Sequence, residues 1–344
     1  MKKLIQFLKL KIIFLAVGIG ILLLIILSFF IWLKINSKPV QIENHDFTLI
    51  EIKKGSAFLT TADELYDKKL IRSPLAAKII WKIRNYNLKA GYYQISPSMR
   101  LDKILDIFAS GKEFLEKLTI PEGLSIEEIG EVIEKSNFKE IKQEFLETVR
   151  DPLFLKKYFI PFDSAEGYLF PSTYLLHKKI SGKELAVKMV DTFFEKAGES
   201  FKTLSPEKQK EVMILASIIE KEGKKDSERP IIASVFTNRL AKKILLESCA
   251  TVIYAFEKKG IQKKRLLYRD LKIKSPFNTY LYPGLPPSPI SSFGTVSLHA
   301  AMNPAETDYL YFVYKGNGEH IFTKTLKEHM AAYRQYILYQ TQRK

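Results

Sequence analysis

A charge-free apolar run near the N-terminus constrains this chain more than any other feature of its sequence. Residues 12–33 contain 22 positions without a charged side chain. As a helix, such a run is long enough to cross a hydrocarbon core of about 30 Å. A cleaved signal peptide is the alternative, but the run is longer than a typical signal-peptide core and no A-x-A-like cleavage site follows it. We therefore predict a retained transmembrane signal anchor at 12–33.

The charges before this run predict its orientation. Lys2, Lys3, Lys9 and Lys11 precede the apolar residues, and lysines concentrate on the cytoplasmic side of membrane spans. We therefore expect a cytoplasmic tail at 1–11 and an extracytoplasmic remainder, in a single-pass protein of the cell (inner) membrane.

The exported part is basic. The chain has 54 Lys and Arg against 38 Asp and Glu, a net charge of +16, and removing the four tail lysines leaves 16 − 4 = +12. This balance fits a bilayer surface, an acidic cell wall or a merely solvated basic surface, whereas nucleic acid is not an expected partner of an exported domain. The single cysteine, Cys249, excludes an intramolecular disulfide and a multi-thiolate metal site. The five histidines have no ligand spacing, so we expect no metal or cofactor.

Periodicity and turn residues predict a small domain followed by a larger one. A polar linker is expected at 34–45, a small domain at 46–120 and the larger domain at 121–344. In the small domain, the patterns predict strands at 47–52 and 91–95, and helices at 57–70, 75–85 and around 101–108, the last ending at Gly111. The elements do not alternate as regular βαβ units, so the predicted fold class is α+β.

The larger domain carries several helix signals and one long irregular segment. Helices are predicted at 138–160 with a break at Asp151-Pro152, and at 182–197, 206–222 and 228–241, with capping boxes at Ser125-x-x-Glu128 and Thr325-x-x-Glu328 and a β-hairpin around Gly316-Asn317-Gly318. Residues 275–294 hold five prolines and two glycines. An irregular run of this length inside a domain is usually functional, although it could be a mere connector.

The helix predicted at 206–222 presents one carboxylate on its apolar face. At about 100° per residue, Val212, Leu215 and Ile219 share a face, and Glu222 projects near its middle, whereas Glu220 points well over 90° away. A carboxyl that is desolvated at a helix C-terminus favours its protonated form, which a general acid requires. The alternative is an exposed glutamate at a frayed helix end.

Several uncommon segments occur in a characteristic order along the chain. They are EGYLFPSTY at 166–174, ASIIEKE at 216–222, ASVFTNRL at 233–240, SPFNTY at 275–280, GLPPSPI at 284–290 and the stretch from 299 to 329. With the N-terminal anchor, they make the chain resemble the endolytic murein transglycosylase (YceG-like) family over nearly its whole length.

This resemblance implies a fold, an activity and partners. It implies a LysM-like small domain at 46–120 and a catalytic domain at 121–344. It also implies non-hydrolytic cleavage of the MurNAc–GlcNAc bond within nascent peptidoglycan strands, leaving 1,6-anhydroMurNAc ends. The second glutamate of the family's I-E-K-E segment is catalytic, and here it is Glu222. One acid/base is sufficient for such a lyase, whereas ordinary glycosidases use two carboxylates. We expect peptidoglycan strands and peptidoglycan synthases (penicillin-binding proteins) as partners.

Supporting residues follow from the same segments. Glu166 matches a family glutamate near the cleft, and Asn278 and Tyr280 offer amide and phenol groups for sugar hydroxyls. Arg239 could bind a peptide carboxylate or form a structural ion pair. One segment departs from the family pattern, because Glu247 and Cys249 stand where Gln and Asp are expected. Glu247 is therefore a candidate second carboxylate near Glu222, and no role is carried onto Cys249.

Two other function classes remain open on the sequence. The chain could be a non-catalytic peptidoglycan-binding scaffold of the cell-wall synthesis machinery, or a basic exported domain that binds anionic lipid. The glutamate on the helix face and the aromatic and proline-rich segments favour the enzyme.

Overall fold

A computed structural model describes residues 2–263 and 265–342 of the chain. It mixes helices with short strands and separates into two compact units, Met1–Glu116 and Lys117–Lys344. The predicted mixture of helices and strands is confirmed.

The smaller unit joins a long N-terminal helix to a two-stranded sheet flanked by helices. Its elements are α1 (Lys2–Asn36), β1 (Thr48–Ile52), α2 (Phe58–Asp67), α3 (Pro74–Ile83), β2 (Gly91–Ile95) and α4 (Leu101–Ser110). The strands β1 and β2 are antiparallel, with Ile50 opposite Tyr93. Both side chains are fully buried in the core of this unit.

Local signals set the ends of these elements. The Ser73 hydroxyl accepts a hydrogen bond from the Ala76 N–H at 3.2 Å, and Pro74 follows it as the first helical residue of α3. Gly111 ends α4 with φ 71°, a left-handed conformation that glycine adopts without strain. The strands and helices predicted for this unit are all present within a few residues.

The segment predicted as a linker, 34–45, is bound to the smaller unit. The Ser37 carbonyl accepts the Leu101 N–H at 3.1 Å, and the Gln41 N–H donates to the Pro97 carbonyl at 3.1 Å. Before it, Trp32 and Leu33 of α1 pack against the core of the unit. The end of α1 is therefore fixed to the unit by packing and by hydrogen bonds.

The larger unit is mainly helical. Its elements are β3 (Glu116–Thr119), α5 (Ile126–Glu134), α6 (Lys142–Thr148), α7 (Pro152–Lys157), β4 (Thr173–Leu176), α8 (Gly182–Lys202), α9 (Pro206–Glu222), α10 (Arg229–Ala241), α11 (Cys249–Glu257), α12 (Thr295–Met302), β5 (Tyr311–Tyr314), β6 (His320–Thr323) and α13 (Leu326–Gln342). Short 3₁₀ turns precede α6 and α10, and another lies at Tyr268–Lys272. β3 pairs with β4, and β5 pairs with β6.

The helix α9 lies at the centre of this unit. It packs against α10, α11 and α12, and every residue from Val212 to Ile219 is buried. The prediction of a single apolar face was therefore incomplete, because Met213 and Ala216, on the other side of the helix, are buried as well. α9 begins at Pro206, the predicted first residue, and the Ser205 side chain caps it by accepting the Lys208 N–H.

The proline-rich segment 275–294 is irregular but firmly packed. The Ser217 hydroxyl of α9 accepts the Ile290 N–H at 3.0 Å, and Ser291 donates to the Ser217 carbonyl at 3.1 Å. Gly167 (φ 83°) is close to this segment, since a Cβ there would lie 2.7 Å from Pro289. The segment thus holds the middle of α9 in place.

Candidate active site

Glu222 ends α9 and caps the beginning of α11. The Ser248 hydroxyl donates a hydrogen bond to Glu222 Oε1 at 2.6 Å, and the Ala250 N–H also donates to this carboxylate. Ala250 belongs to the first turn of α11, where free N–H groups and the helix dipole favour negative charge. The carboxylate therefore lies at the end of one helix and at the beginning of another.

Two opposing influences act on the Glu222 carboxyl, which is partly buried. Burial raises its pKa, while the hydrogen bond from Ser248, the nearby His320 ring and the Ala250 N–H act in the opposite direction. Burial is the largest of these influences, so the protonated form is favoured relative to a free glutamate. The donors remain in place to stabilise the carboxylate after the proton has left.

Glu220, two residues earlier, has a different environment. Its Oε2 atom lies 2.8 Å from Arg229 Nη1, and both side chains are more than nine-tenths buried. It also accepts the Gly294 N–H at 3.1 Å, and the same Arg229 atom donates to the Ser297 hydroxyl at 2.8 Å. Glu220 is therefore held in an internal ion pair that ties α9 to α10 and α12.

A cavity of about 450 Å³ opens beside Glu222. It is formed by the end of α9, α10, the residues that lead into α11, the hairpin β5–β6 and α13. Its lining includes Glu222, Phe236, Arg239, Glu247, Ser248, Cys249, Tyr280, Tyr311, Tyr314, His320, His329 and Tyr333. Carboxylate, phenol, imidazole and guanidinium groups thus meet around a concave surface, as at many ligand sites.

Three of the predicted substrate-binding residues line this cavity. Arg239 is buried, donates to the Leu310 carbonyl at 2.6 Å and forms an ion pair with Glu247 at 2.9 Å. Glu247 is exposed and has a left-handed backbone, with φ 53°. The Tyr280 hydroxyl lies 3.2 Å from Cys249 Sγ. Glu247 is thus a second carboxylate in the cavity, with a cationic partner.

Asn278 does not line the cavity. It is fully buried, and its amide donates to the Leu271 and Ile273 carbonyls at 2.9 and 2.8 Å while its oxygen accepts the Tyr280 N–H at 3.0 Å. Its polar atoms therefore shape the loop that carries Tyr280.

Glu166, which precedes β4, lies beside Tyr254 of α11 and is also outside the cavity lining. Its Oε2 atom accepts the Ile126 N–H at 3.2 Å and the Tyr254 hydroxyl at 3.1 Å, while Oε1 is buried without a hydrogen-bond partner. Burial, the largest cause, raises the pKa of Glu166 to about 8, and the neighbouring Glu257 adds to the rise. Glu166 is thus a buried carboxyl that is largely protonated at neutral pH.

Sequence reasoning missed a histidine in the cavity. His320 Nδ1 lies 2.8 Å from Glu228 Oε2, and the backbone N–H of His320 donates to Glu228 Oε1 at 2.9 Å. Nε2 has no hydrogen-bond partner within the described part of the chain, and His320 is one of the residues that line the cavity. Glu222 and His320 are 98 residues apart in the chain (320 − 222), so no helical or strand period relates them. The segment 299–329 contained this residue but gave no reason to pair it with Glu222.

The cavity contains no evident metal centre. Across residues 2–263 and 265–342, no group of three or more His, Cys, Asp or Glu side chains is arranged to hold a metal ion. The carboxyl, hydroxyl, phenol and imidazole groups that line the cavity can transfer protons and form hydrogen bonds.

Comparison with known proteins places the chain in a family. The model of the YceG-like family matches residues 50–335. The chain belongs to the YceG-like family. The predicted resemblance is therefore confirmed.

Relatives of this YceG-like protein carry a functional name. The endolytic murein transglycosylase of Bacillus subtilis (strain 168) is 35% identical over 335 residues, which cover 91% of each chain. The endolytic murein transglycosylase of Streptococcus pneumoniae serotype 2 (strain D39) is 28% identical over 85% of this chain and 60% of its own length. A crystal structure of a YceG-like protein from Listeria monocytogenes is 36% identical and matches with a TM-score of 0.57, over 83% of this chain and 99% of that one.

Proposed function

We propose that this protein is a lytic transglycosylase that cleaves peptidoglycan glycan strands internally, at the MurNAc–GlcNAc bond. The observation that carries the proposal is the Glu222 carboxyl, which burial favours in its protonated form and which lies in a cavity large enough for sugar residues. The names of relatives that align over most of the chain support the same substrate and reaction.

In the first half of the reaction, Glu222 acts as general acid. It gives its proton to the glycosidic oxygen, the bond from that oxygen to C1 of MurNAc breaks, and GlcNAc leaves with a free 4-hydroxyl. The Ser248 hydroxyl and the Ala250 N–H stabilise the carboxylate that forms, because hydrogen bonds to an ionised group are stronger than those to a neutral one.

In the second half, the Glu222 carboxylate acts as general base. It accepts the proton of the MurNAc C6 hydroxyl as that oxygen attacks C1, which closes the 1,6-anhydro ring and restores the protonated glutamate. The two proton transfers cancel, so water is not consumed. A single acid/base is therefore sufficient, in contrast to the carboxylate pair of hydrolytic glycosidases.

Other cavity residues position the sugar chain. We assign Tyr280 and the Arg239–Glu247 pair to substrate contacts, since all three line the cavity. We assign His320 to a hydrogen bond with the substrate through Nε2, because Glu228 occupies Nδ1 and fixes the ring. Glu166 and Asn278 act from behind the cavity, because their polar atoms bind groups within the fold.

The smaller unit and α1 complete the proposal. The order β1, α2, α3, β2 with an antiparallel strand pair supports a LysM-like glycan-binding module. The stretch Lys11–Asn36 has the length and hydropathy of a membrane span, so we propose a single-pass anchor with the larger unit outside the cytoplasmic membrane. In that position the enzyme would act beside peptidoglycan synthases on newly made strands.

The test is digestion of purified peptidoglycan by the full chain in detergent, with the products identified by mass spectrometry. We expect anhydroMurNAc-ended products from the wild type and a loss of at least about a thousandfold in rate with Glu222→Gln, because the variant cannot donate the proton. His320→Ala should give the same products more slowly, by about tenfold, since one hydrogen bond is lost.

The matched control is Glu211→Gln on the same helix. Glu211 is exposed and pairs with Lys208 at 3.2 Å, so this variant should digest peptidoglycan like the wild type. Reducing-end products that have gained one water would contradict the transglycosylase assignment. Retained peptidoglycan binding with no product from any variant would instead favour the non-catalytic scaffold.

A further inference from the structure

The smaller unit contains a second cavity at the outer end of α1. This cavity measures about 620 Å³, and its lining includes Asn36, Asp67, Lys69 and Arg72. The cavity is lined by residues at the end of α1, at the end of α2 and in the loop that joins α2 to α3. Neither the proposed reaction nor the proposed glycan module uses it.

The position of this cavity along α1 fixes its depth relative to a bilayer. The charge-free run 12–33 extends for about 33 Å as a helix, close to the thickness of the hydrocarbon core. Lys34 is the first charged residue after it, and Asn36 follows within about 5 Å of the hydrocarbon boundary. With α1 across the membrane, the cavity therefore opens at the level of the outer phospholipid headgroups.

The cavity stays at this depth because α1 is fixed to the smaller unit. Trp32 and Leu33 pack against the core of the unit, and the Arg72 guanidinium donates through Nε to the Pro39 carbonyl at 2.8 Å. The Ser37 hydroxyl and N–H both donate to the Leu33 carbonyl, at 2.7 and 3.0 Å, so the helical geometry continues to the edge of the unit.

Cations with free donors surround the cavity. Lys69 lines it, and Lys34 and Lys38 lie within two residues of Asn36 in the sequence; all three lysines are exposed. Within residues 2–263 and 265–342 none of these three lysines forms an ion pair, and Arg72 uses only its Nε atom, which leaves both Nη groups free. The adjacent Lys68, in contrast, pairs with Glu64 at 2.9 Å.

We propose that this cavity binds the headgroup of an anionic phospholipid in the outer leaflet, with Lys69 and Arg72 on the phosphate. Asp67 lines the same cavity and can accept a hydrogen bond from a headgroup hydroxyl, which favours a glycerol headgroup. This inference rests on the proposed membrane anchoring of α1. Its consequence is that the smaller unit lies against the bilayer surface in a defined orientation.

The experiment uses the full chain in phosphatidylcholine nanodiscs that contain a trace of spin-labelled phosphatidylglycerol or spin-labelled phosphatidylcholine. Electron paramagnetic resonance gives the fraction of each labelled lipid that the protein immobilises. We expect the wild type to prefer phosphatidylglycerol, and Lys69→Gln and Arg72→Gln each to reduce that preference by about fivefold, the usual effect of a basic residue at a membrane surface.

The matched control is Lys53→Gln with Lys54→Gln, which removes two exposed cations of the same unit that do not line the cavity. If this pair reduces the preference as much as Lys69→Gln with Arg72→Gln, the attraction is a general charge effect and the site is disproved. Equal immobilisation of both lipids by the wild type would disprove it too.

Membrane flotation separates failure of this site from failure of the anchor. A full chain that does not float with vesicles after an alkaline wash would overturn the anchoring and this inference together. A chain that floats without lipid preference would overturn the inference alone, and peptidoglycan digestion would still test the proposed reaction.

Discussion

At the scale of single residues, the partners of a carboxyl group decide what it can do. Glu220 and Glu222 lie two positions apart on α9, yet Glu220 is paired with Arg229 at 2.8 Å whereas Glu222 receives donors from α11 and faces a cavity. The ion pair and the Gly294 N–H occupy the Glu220 carboxylate within the fold. Glu222 keeps the freedom to exchange a proton, which the proposed reaction needs.

Glu166 is a buried carboxyl whose ionisation opposes folding. Its pKa is raised from 4.5 to about 8, mainly by burial. Below about pH 4.5 both folded and unfolded states hold the proton; between that value and about 8 only the folded state does. The unfolded state therefore binds fewer protons than the folded state in this pH window. The contribution of Glu166 to the stability of the fold falls as the pH rises through it.

We expect Glu166→Gln to stabilise the larger unit at about pH 8 by a few kcal/mol, and to have little effect near pH 4.5. The neutral amide keeps an oxygen for Ile126 and Tyr254 and places its NH₂ group where Oε1 has no partner. Differential scanning calorimetry of the full chain in detergent across this pH range measures the difference.

The control for this prediction is Glu140→Gln at an exposed position in the same unit, which should change the stability by less than about 0.5 kcal/mol. A stability gap between Glu166→Gln and the wild type that stays constant from pH 4.5 to 8 would show that burial does not raise the pKa of Glu166.

At the scale of elements, the meeting of two helices defines the site. The C-terminus of α9 would disfavour the Glu222 carboxylate, whereas the N-terminus of α11 supplies the Ala250 N–H and favours it. The Ser248 hydroxyl, 2.6 Å from Oε1, adds to the effect of α11. The site therefore balances burial, which favours the acid, against a helix N-terminus, which favours the base.

Removal of the Ser248 hydroxyl should shift this balance. Because the hydrogen bond from Ser248 lowers the pKa of Glu222, Ser248→Ala should raise that pKa and move the high-pH limb of the kcat/KM profile upward. The maximal rate should fall by about tenfold, since the carboxylate intermediate loses a donor. Digestion rates measured from about pH 4 to pH 9 test both effects.

Ser234→Ala is the matched control for Ser248→Ala, since Ser234 is also buried but bonds the Ile231 carbonyl and Thr307. Its pH profile should match that of the wild type. An unchanged high-pH limb in Ser248→Ala would contradict the assigned role of the hydroxyl.

The sequence predicted most elements of this fold but missed two helices. Periodic apolar residues and capping boxes identified α5, α9 and the final helix, because those signals are local. α11 was missed because its sequence, CATVIYAFE, is rich in β-branched and aromatic residues that favour strands. α12 was missed because it has only eight residues, too few to show a helical period. In both segments the helix is stabilised by packing against other elements and not by the local helix propensity of its residues.

Only part of the candidate site could be predicted from the sequence. Glu222 could be identified from its own helix and from the family resemblance. Ser248 and His320 could not be paired with it, because their approach depends on how distant elements pack. The burial of Asn278, with its amide occupied by the Leu271 and Ile273 carbonyls, was hidden for the same reason.

At the scale of the whole molecule, three parts serve one proposed task. In the proposed arrangement α1 anchors the chain in the membrane. The smaller unit is fixed to the end of α1, and the larger unit carries Glu222 in its cavity. The proposed reaction requires that cavity to face the peptidoglycan, which lies outside the cytoplasmic membrane. The orientation of α1 is therefore as important to function as the geometry around Glu222.

The single cysteine offers a direct test of that orientation. Cys249 is exposed and lines the cavity beside Glu222, so a membrane-impermeant maleimide should label the full chain in intact spheroplasts. Burial, the largest cause, raises the pKa of this thiol, so labelling should be faster at about pH 8.5 than at pH 7. Mass spectrometry of the recovered chain measures the labelled fraction.

The opposite side of the membrane provides the control. In a Cys249→Ser background, Phe7→Cys places the only thiol in the N-terminal tail, where Phe7 is exposed, and it should be labelled only after the membrane is permeabilised. Labelling of Cys249 that also requires permeabilisation would place the larger unit in the cytoplasm. Glu222 would then be separated from peptidoglycan, and the proposed function would fail even if the geometry around Glu222 were correct.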